Sequence, residues 1–391
     1  MFLVSRPDRI VSRIGAALAV ALAVAVPGPP TAGATASAAA APSPGPSGFD
    51  EAEYRRLDEQ LRMSRARKAA DFAIDPARGI DEARFVRLGG IDQWVTIRGE
   101  NRANPVLLFV HGGPGDVTSL WSYPYFAAWE QFFTVVQWDQ RGAGRTFGRS
   151  GPSVRATMTV ARMAQDGIEL TQYLERTLRR HAIVVVAHSF GTLLALRMVR
   201  ERPDLFSAYV GTGQVADETR NYAVAYGALL REARARGNGE AVAQLVRVGP
   251  PPYTSYRGYQ VQRRWSNRFE GADRFLPGTL GLALVSPGYS ARDLSDDLDG
   301  QLFSGDALVP KIRSATMRDL GLRFAIPIFF FEGTHDFTTP TALAHDYLRA
   351  LRAPRKAFVP IAGGHFAVFL NSDDFLRELR GRVRPLARAA G

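Results

Sequence analysis

Val184-Val185-Val186-Ala187-His188-Ser189-Phe190-Gly191-Thr192 is the stretch whose reading decides the fold. Four apolar residues favour a buried strand, small residues bracket a lone serine, and a Leu/Ala-rich helical pattern runs on from Leu193 to Val199. A strand that reverses sharply into a helix presents the middle residue of the turn at the sheet's carboxyl edge, above the amino terminus of the helix. The stretch therefore reads as a nucleophile elbow with Ser189 at its tip. The turn is too crowded for large side chains two before and two after the serine. Gly191 meets that demand, and Ala187 is a tight replacement for the usual first glycine.

Outward from this point the chain alternates strand and helix. Upstream, Phe85 to Leu88 and Gln93 to Ile97 flank Gly89-Gly90 and predict a hairpin. Pro105 to Val110 and Phe132 to Trp138 are apolar runs of the kind covered on both faces by helices. A helix is expected over Val160 to Leu178, and after the elbow come strands at Ala208 to Val210, Ile326 to Phe331 and Lys356 to Val359. Helices are expected at Thr341 to Leu351 and from Asp373. This order predicts an α/β fold with a mostly parallel sheet between helices, and ligands off the carboxyl ends of its strands. The stretch between Val210 and Ile326 is far longer than one crossover needs. Residues 214–320 are therefore expected to form a cap hanging over Ser189, with core on either side at 50–213 and 321–391. Its aromatic residues, among them Tyr222, Trp265, Phe269, Phe275 and Tyr289, divide between the cap's own packing and a substrate pocket, and the sequence does not sort them.

The amino terminus carries Arg6, Arg9 and Arg13, then an apolar run from Ile14 to Val26, then small residues around Ala32 to Ala38. That pattern predicts a secretory signal over about 1–38, followed by a Pro/Ala/Ser-rich linker at 39–49. Removing it takes away three arginines and Asp8, so the mature chain stays basic. The formal charge of +11 rests on 49 basic residues of which only Lys68, Lys311 and Lys356 are lysine, a bias read as bacterial genome composition rather than a nucleic-acid-binding surface. The mixed-charge segment 50–70 reads as a solvated helix. With no cysteine anywhere, disulfides and thiolate chemistry are excluded. The expected setting is a secreted or cell-envelope bacterial protein with no stable membrane partner once the signal is cut.

A serine hydroxyl is a poor nucleophile near neutral pH and needs a base, a group that orients the base, and donors for an oxyanion. Gly333-Thr334-His335-Asp336 follows one apolar strand, and Gly363-Gly364-His365 follows the last one. His365 is the candidate base and Asp336 its partner, with Asp139 the rival acid; the order Ser189, Asp336, His365 suits this architecture. His188 and His335 are read as supporting residues and His111 as structural. His111-Gly112-Gly113-Pro114-Gly115 closes a strand with glycines that let backbone approach a substrate carbonyl. Pro114 has no N–H, so Gly113 is the first choice and Gly112 the second for the oxyanion hole, partnered by the Phe190 amide. The loop lacks the Lys-Ser/Thr of a phosphate-binding loop and any GxGxxG spacing, so no nucleotide, cofactor or metal is expected.

With these residues assembled, the chain resembles the α/β-hydrolase superfamily, and within it the proline iminopeptidase-like branch. The resemblance is carried by His111 to Gly115, Asp139-Gln140-Arg141-Gly142-Ala143-Gly144-Arg145, the elbow, Gly333 to Asp336 and Gly364-His365, and covers about residues 84–388. It implies an α/β-hydrolase fold with a cap inserted after the strand following the elbow, and a serine peptidase that releases an amino-terminal residue, often proline, from short peptides. It also implies acidic cap groups for the substrate amine; Asp217, Glu218, Glu232 and Glu270 are present, but no motif assigns them. The chain departs from the branch at the elbow, where Gly-Gly-Ser-Trp-Gly is usual, and at Asp116, where glycine is common. A carboxylesterase acting on small apolar esters is the alternative enzyme, and a catalytically silent binding protein the alternative of another class.

Overall fold

The computed structural model describes residues 50–253 and 256–389; the expected signal and linker lie outside them. Eight strands form one sheet: β1 (Ile80–Leu88), β2 (Ile91–Gly99), β3 (Val106–Val110), β4 (Thr134–Trp138), β5 (Ile183–His188), β6 (Phe206–Thr212), β7 (Ile328–Gly333) and β8 (Lys356–Ile361). Their spatial order is β1-β2-β4-β3-β5-β6-β7-β8. β1 and β2 make an antiparallel hairpin around Gly89-Gly90, and β2 runs antiparallel to β4. Every later pairing is parallel. β5 is therefore central, held by β3 and β6, and its carboxyl end opens at the middle of one edge.

The all-apolar reading of these strands follows from their burial on both faces. Along β5, Val185 and Ala187 belong to one core cluster while Val184 and Val186 belong to the other. Along β3, Leu108 and Val110 face one side and Leu107 and Phe109 the opposite side in the same way. The helices Val160–Leu178 and Gly191–Glu201 cover the first face, and Tyr123–Glu130 with the carboxyl-terminal helices covers the second. β1 begins five residues earlier than the hairpin pattern suggests, because only Ile80, Val86 and Leu88 of this edge strand are buried.

Between β6 and β7 the named elements are all helices: Glu218–Ala235, Gly239–Val248, Tyr256–Glu270, Ala272–Leu284, Ala291–Ile312 and Met317–Leu320. Part of its aromatic content is its own packing, since Trp265 and Phe269 join Leu229 and Leu245 in a separate cluster that also takes in Phe337. Phe275 and Tyr289 instead pack into the main core, and Tyr222 lines a cavity above the sheet. Arg145 ties this roof to the base: its guanidinium pairs with both oxygens of Asp293 at 2.7 Å and lies between the rings of Trp94 and Tyr289.

The segment expected to be a solvated helix is one, over Glu51–Asp71, but one of its sides is not solvated. Tyr54 and Leu57 are buried, the Tyr54 hydroxyl donates to Ser295 Oγ, and Asp58 accepts from the Ala291 amide at the start of the long cap helix. Arg65 reaches Asp58 and the Leu284 carbonyl. The helix thus straps onto the cap.

Candidate active site

Ser189 occupies the turn between β5 and the helix Gly191–Glu201 with φ of +52°, a left-handed conformation that a non-glycine residue adopts only when its surroundings impose it. The imposition comes from packing. A Cβ on Gly191 would stand 2.3 Å from the Val110 carbonyl oxygen and 2.5 Å from that of His111, so the helix can start this close to β3 only with glycine there. The Ser189 amide is anchored to the Thr212 carbonyl of β6, and the Thr192 hydroxyl donates to the Ser189 carbonyl. Ala187 is fully buried and tolerated at the first tight position.

Two loops at the same sheet edge bring the partners. His365 Nε2 lies 2.9 Å from Ser189 Oγ, and His365 Nδ1 lies 2.8 Å from Asp336 Oδ2. Asp336 sits in a turn that uses both of its oxygens: Oδ1 accepts from the Thr338 and Thr339 amides at 2.8 and 2.7 Å, and Oδ2 from the Thr339 hydroxyl at 2.8 Å. Burial disfavours this charge, but the His365 ring and these donors outweigh it and hold the carboxyl below its ordinary range. Burial likewise disfavours a charged His365, yet the Asp336 charge and hydrogen bond prevail and raise its pKa above the ordinary 6.5. Thr339 was not legible as a site residue; its signal is the Asp-x-x-Thr spacing of a turn in which an aspartate side chain caps the following amides.

The other candidates separate clearly. Asp139 is buried away from His365, accepting from the Ser119 hydroxyl and the Arg145 amide, and burial pushes it up to about 7. Its neighbours are structural as well. Gln140 grips the His111 carbonyl, and Arg141 forms a fully buried two-pronged pair with Asp166 while reaching the Gly89 carbonyl. His111 is buried, hydrogen-bonded to the Gly112 carbonyl, and lowered to about 4 by burial. His188 stands directly behind the site, its Nε2 3.0 Å from the His365 carbonyl, and is lowered to about 3 by burial and by the neighbouring ring. His335 is not in a supporting position: it is exposed, its Nδ1 near the Thr334 hydroxyl, because the backbone turns Asp336 inward and its predecessor outward.

Gly113, with a φ of +104°, lines the cavity above the serine together with Phe190, while Gly112, the second choice, is the glycine packed against Ser189: a Cβ there would stand 2.9 Å from the serine Cβ. Among the described residues neither the Gly113 nor the Phe190 amide has a hydrogen-bond partner. The cavity measures about 150 Å³ and is open to solvent on one side, a volume below the roughly 300 Å³ from which ligand sites usually start. Its walls come from the cap and include Glu218, Asn221, Tyr222, Gln262, Arg263 and Arg313. The Glu218 amide donates to the Ala315 carbonyl, but its carboxyl group has no hydrogen-bond partner among the described residues; burial and the nearby Asp217 push it up to about 7 against the opposing charge of Arg313. Glu270 stands behind Thr338, accepting from the Phe337 amide at 2.6 Å and from the Thr338 hydroxyl; burial and the Asp336 charge push it up to about 7 as well. No group of side chains suited to a metal ion occurs among the described residues.

Residues 105–372 match the family model described as alpha/beta hydrolase fold, 268 residues that include the elbow and both loops. The chain belongs to the α/β-hydrolase family. This hydrolase is 30% identical over 288 residues to a Bacillus subtilis protein named probable aminopeptidase YbaC, a match spanning 72% of this chain and 90% of the relative. In three dimensions it is similar to a proline iminopeptidase-related protein of Thermus thermophilus, with a TM-score of 0.56 at 19% identity, covering 79% of this chain and 99% of that one. A Mycobacterium smegmatis proline iminopeptidase gives a TM-score of 0.57 at 17% identity over 79% and 100%. The resemblance to the proline iminopeptidase-like branch, read from the motifs, stands with these relatives.

Proposed function

We propose that the protein is an exported serine hydrolase of the aminopeptidase type, releasing the amino-terminal residue of short peptides or amino-acid amides through an acyl-enzyme on Ser189. In this reading His365 Nε2 takes the Ser189 proton as Oγ attacks the carbonyl carbon, and Asp336 holds the ring's tautomer and stabilises the imidazolium. The Phe190 and Gly113 amides, unspent on other acceptors, receive the oxyanion; each such donor is worth on the order of 3 kcal/mol in the transition state. His365 then protonates the departing amine, and a water deprotonated by the same ring hydrolyses the acyl-enzyme.

The observation that carries peptidase over esterase is Glu218, a carboxyl group lining the cavity of Ser189 with no hydrogen-bond partner among the described residues. An apolar ester has no use for such a group, whereas a substrate ammonium pairs with it and draws its pKa back down. Glu270, behind Thr338 and not itself a wall of the cavity, is a second buried carboxyl beside Asp336. The name of the Bacillus relative supports the same reading.

The test compares an amino-acid 4-nitroanilide, its N-acetylated form and a short-chain 4-nitrophenyl ester on the mature protein and on Ser189→Ala. The expected result is turnover of the free-amine anilide, lost in Ser189→Ala and reduced about a hundred-fold by acetylation or by Glu218→Gln. Ester turnover without anilide turnover would move the assignment to carboxylesterase. Export rests on the signal-like pattern of residues 1–38, and amino-terminal sequencing of protein recovered outside the cell tests it.

A further inference from the structure

We propose that Arg263 is a binding site for a substrate carboxylate, which makes the preferred substrate a dipeptide with both termini free. The inference rests on the aminopeptidase reading and extends it from the amine end of the substrate to the carboxylate end.

Arg263 projects from the cap helix Tyr256–Glu270 into the cavity that holds Ser189 and Gly113. It is half-buried, and among the described residues its guanidinium makes neither a hydrogen bond nor an ion pair. Burial sets it apart within the cap: Arg220, Arg231, Arg234, Arg247, Arg274 and Arg318 also lack a side-chain partner among the described residues but are exposed, while Arg268, Arg264 and Arg236 pair with Asp273, Glu240 and Glu232. A guanidinium offers five donors in a planar fork that matches a carboxylate, and partial burial strengthens such a pair. Glu218 supplies the opposite charge in the same cavity. One chamber therefore holds a carboxyl group, a guanidinium and a nucleophile, which is the complement of a zwitterion.

A dipeptide carries its two charges close together, since two extended residues span roughly 7 Å. If the ammonium sits at the acidic side and the scissile carbonyl at Ser189, a dipeptide's terminal carboxylate falls one residue beyond the cleaved bond. A longer peptide would place a neutral amide there. The competing role for Arg263 is to balance the charges of Asp116 and Glu270, both of which feel it.

The experiment measures kcat/KM for alanyl-alanine, for its carboxyl-terminal amide and for alanine 4-nitroanilide, on the mature wild type, Arg263→Met and Arg263→Lys. The wild type is expected to favour the dipeptide over its amide by about ten- to a hundred-fold, mostly through KM, the scale of one charge-assisted pair. Arg263→Met should bring that ratio close to one, and Arg263→Lys should restore part of it. A wild-type ratio near one overturns the proposal even if the variants fail to fold. So does a ratio left intact in Arg263→Met, or a loss shared equally by dipeptide and amide with a displaced pH profile, which is the charge-balancing outcome. Anilide turnover with no carboxylate preference removes the subsite alone. No turnover of anilide or peptide removes the aminopeptidase reading, and the subsite with it.

Discussion

Replacing Asp336 by asparagine tests the site most directly, because the structure dictates which way the new amide must face. Oδ1 of Asp336 receives two backbone amides, from Thr338 and Thr339, and backbone donors cannot be turned into acceptors. The carboxamide oxygen must therefore stay at Oδ1, leaving its NH2 at the Oδ2 position, 2.8 Å from His365 Nδ1. The Thr339 hydroxyl can rotate to accept from it, so the variant should fold. Facing a donor, Nδ1 must become the acceptor, which moves the ring proton to Nε2, 2.9 Å from Ser189 Oγ. A protonated Nε2 cannot take the serine proton. The same inversion in a Ser-His-Asp protease lowers kcat by about 10⁴, or about 5.5 kcal/mol of transition-state stabilisation. The assay is steady-state turnover of the best anilide from pH 6 to 10, beside circular dichroism and a thermal melt. A folded Asp336→Asn protein within ten-fold of wild type at neutral pH would refute the assignment of Asp336 as the orienting acid. A comparable loss confined to Asp139→Asn would transfer that role to the rival carboxylate.

Further outcomes follow from the same geometry. Because the net effect on His365 is upward, the rising limb of kcat/KM should have its midpoint above 6.5 on a neutral ester; a midpoint below 6.5 would show burial outweighing Asp336. On a peptide a falling limb should appear as the substrate amine, ordinarily near 8, loses its proton, giving a bell that the ester lacks. Arg145→Ala removes a largely buried two-pronged pair with Asp293 and two ring contacts, and should cost about 2 kcal/mol in urea unfolding, with earlier proteolysis inside residues 214–320. An unchanged midpoint would show that the cap is held by other contacts.

The parts of this protein legible in its sequence are those where local chemistry has few solutions. A doubly covered strand must be apolar on both faces, a turn that drives a serine into positive φ beside two carbonyl oxygens must have Gly191, and the loops after β7 and β8 present Asp336 and His365 at one edge. The cap side of the site was not legible, because Glu218, Arg263 and Glu270 come from separate or distant turns of helix and meet only through tertiary packing. The Glu51–Asp71 helix misled for a related reason. Its overall polarity concealed a narrow stripe at Tyr54, Leu57 and Leu61, three residues at helical spacing that bind it to the cap. Asp139 to Arg145 drew attention as a motif, yet its conspicuous polar residues hold loops together rather than touch a substrate.

The contact between Gly191 and the carbonyls of Val110 and His111 has a consequence for altering this protein. The serine turn and the glycine loop are fitted to each other like a key cut to one lock, so a change in either propagates at once into the other. The roof meets the Ser189 chamber through side chains rather than backbone packed on backbone: Asn221 and Tyr222 come from one helix and Gln262 from another, tied by hydrogen bonds from Gln262 to the Tyr222 carbonyl and from Asn221 to the Thr338 carbonyl. On the proposed reading, laboratory evolution toward new substrates should therefore diversify the roof and leave the floor untouched.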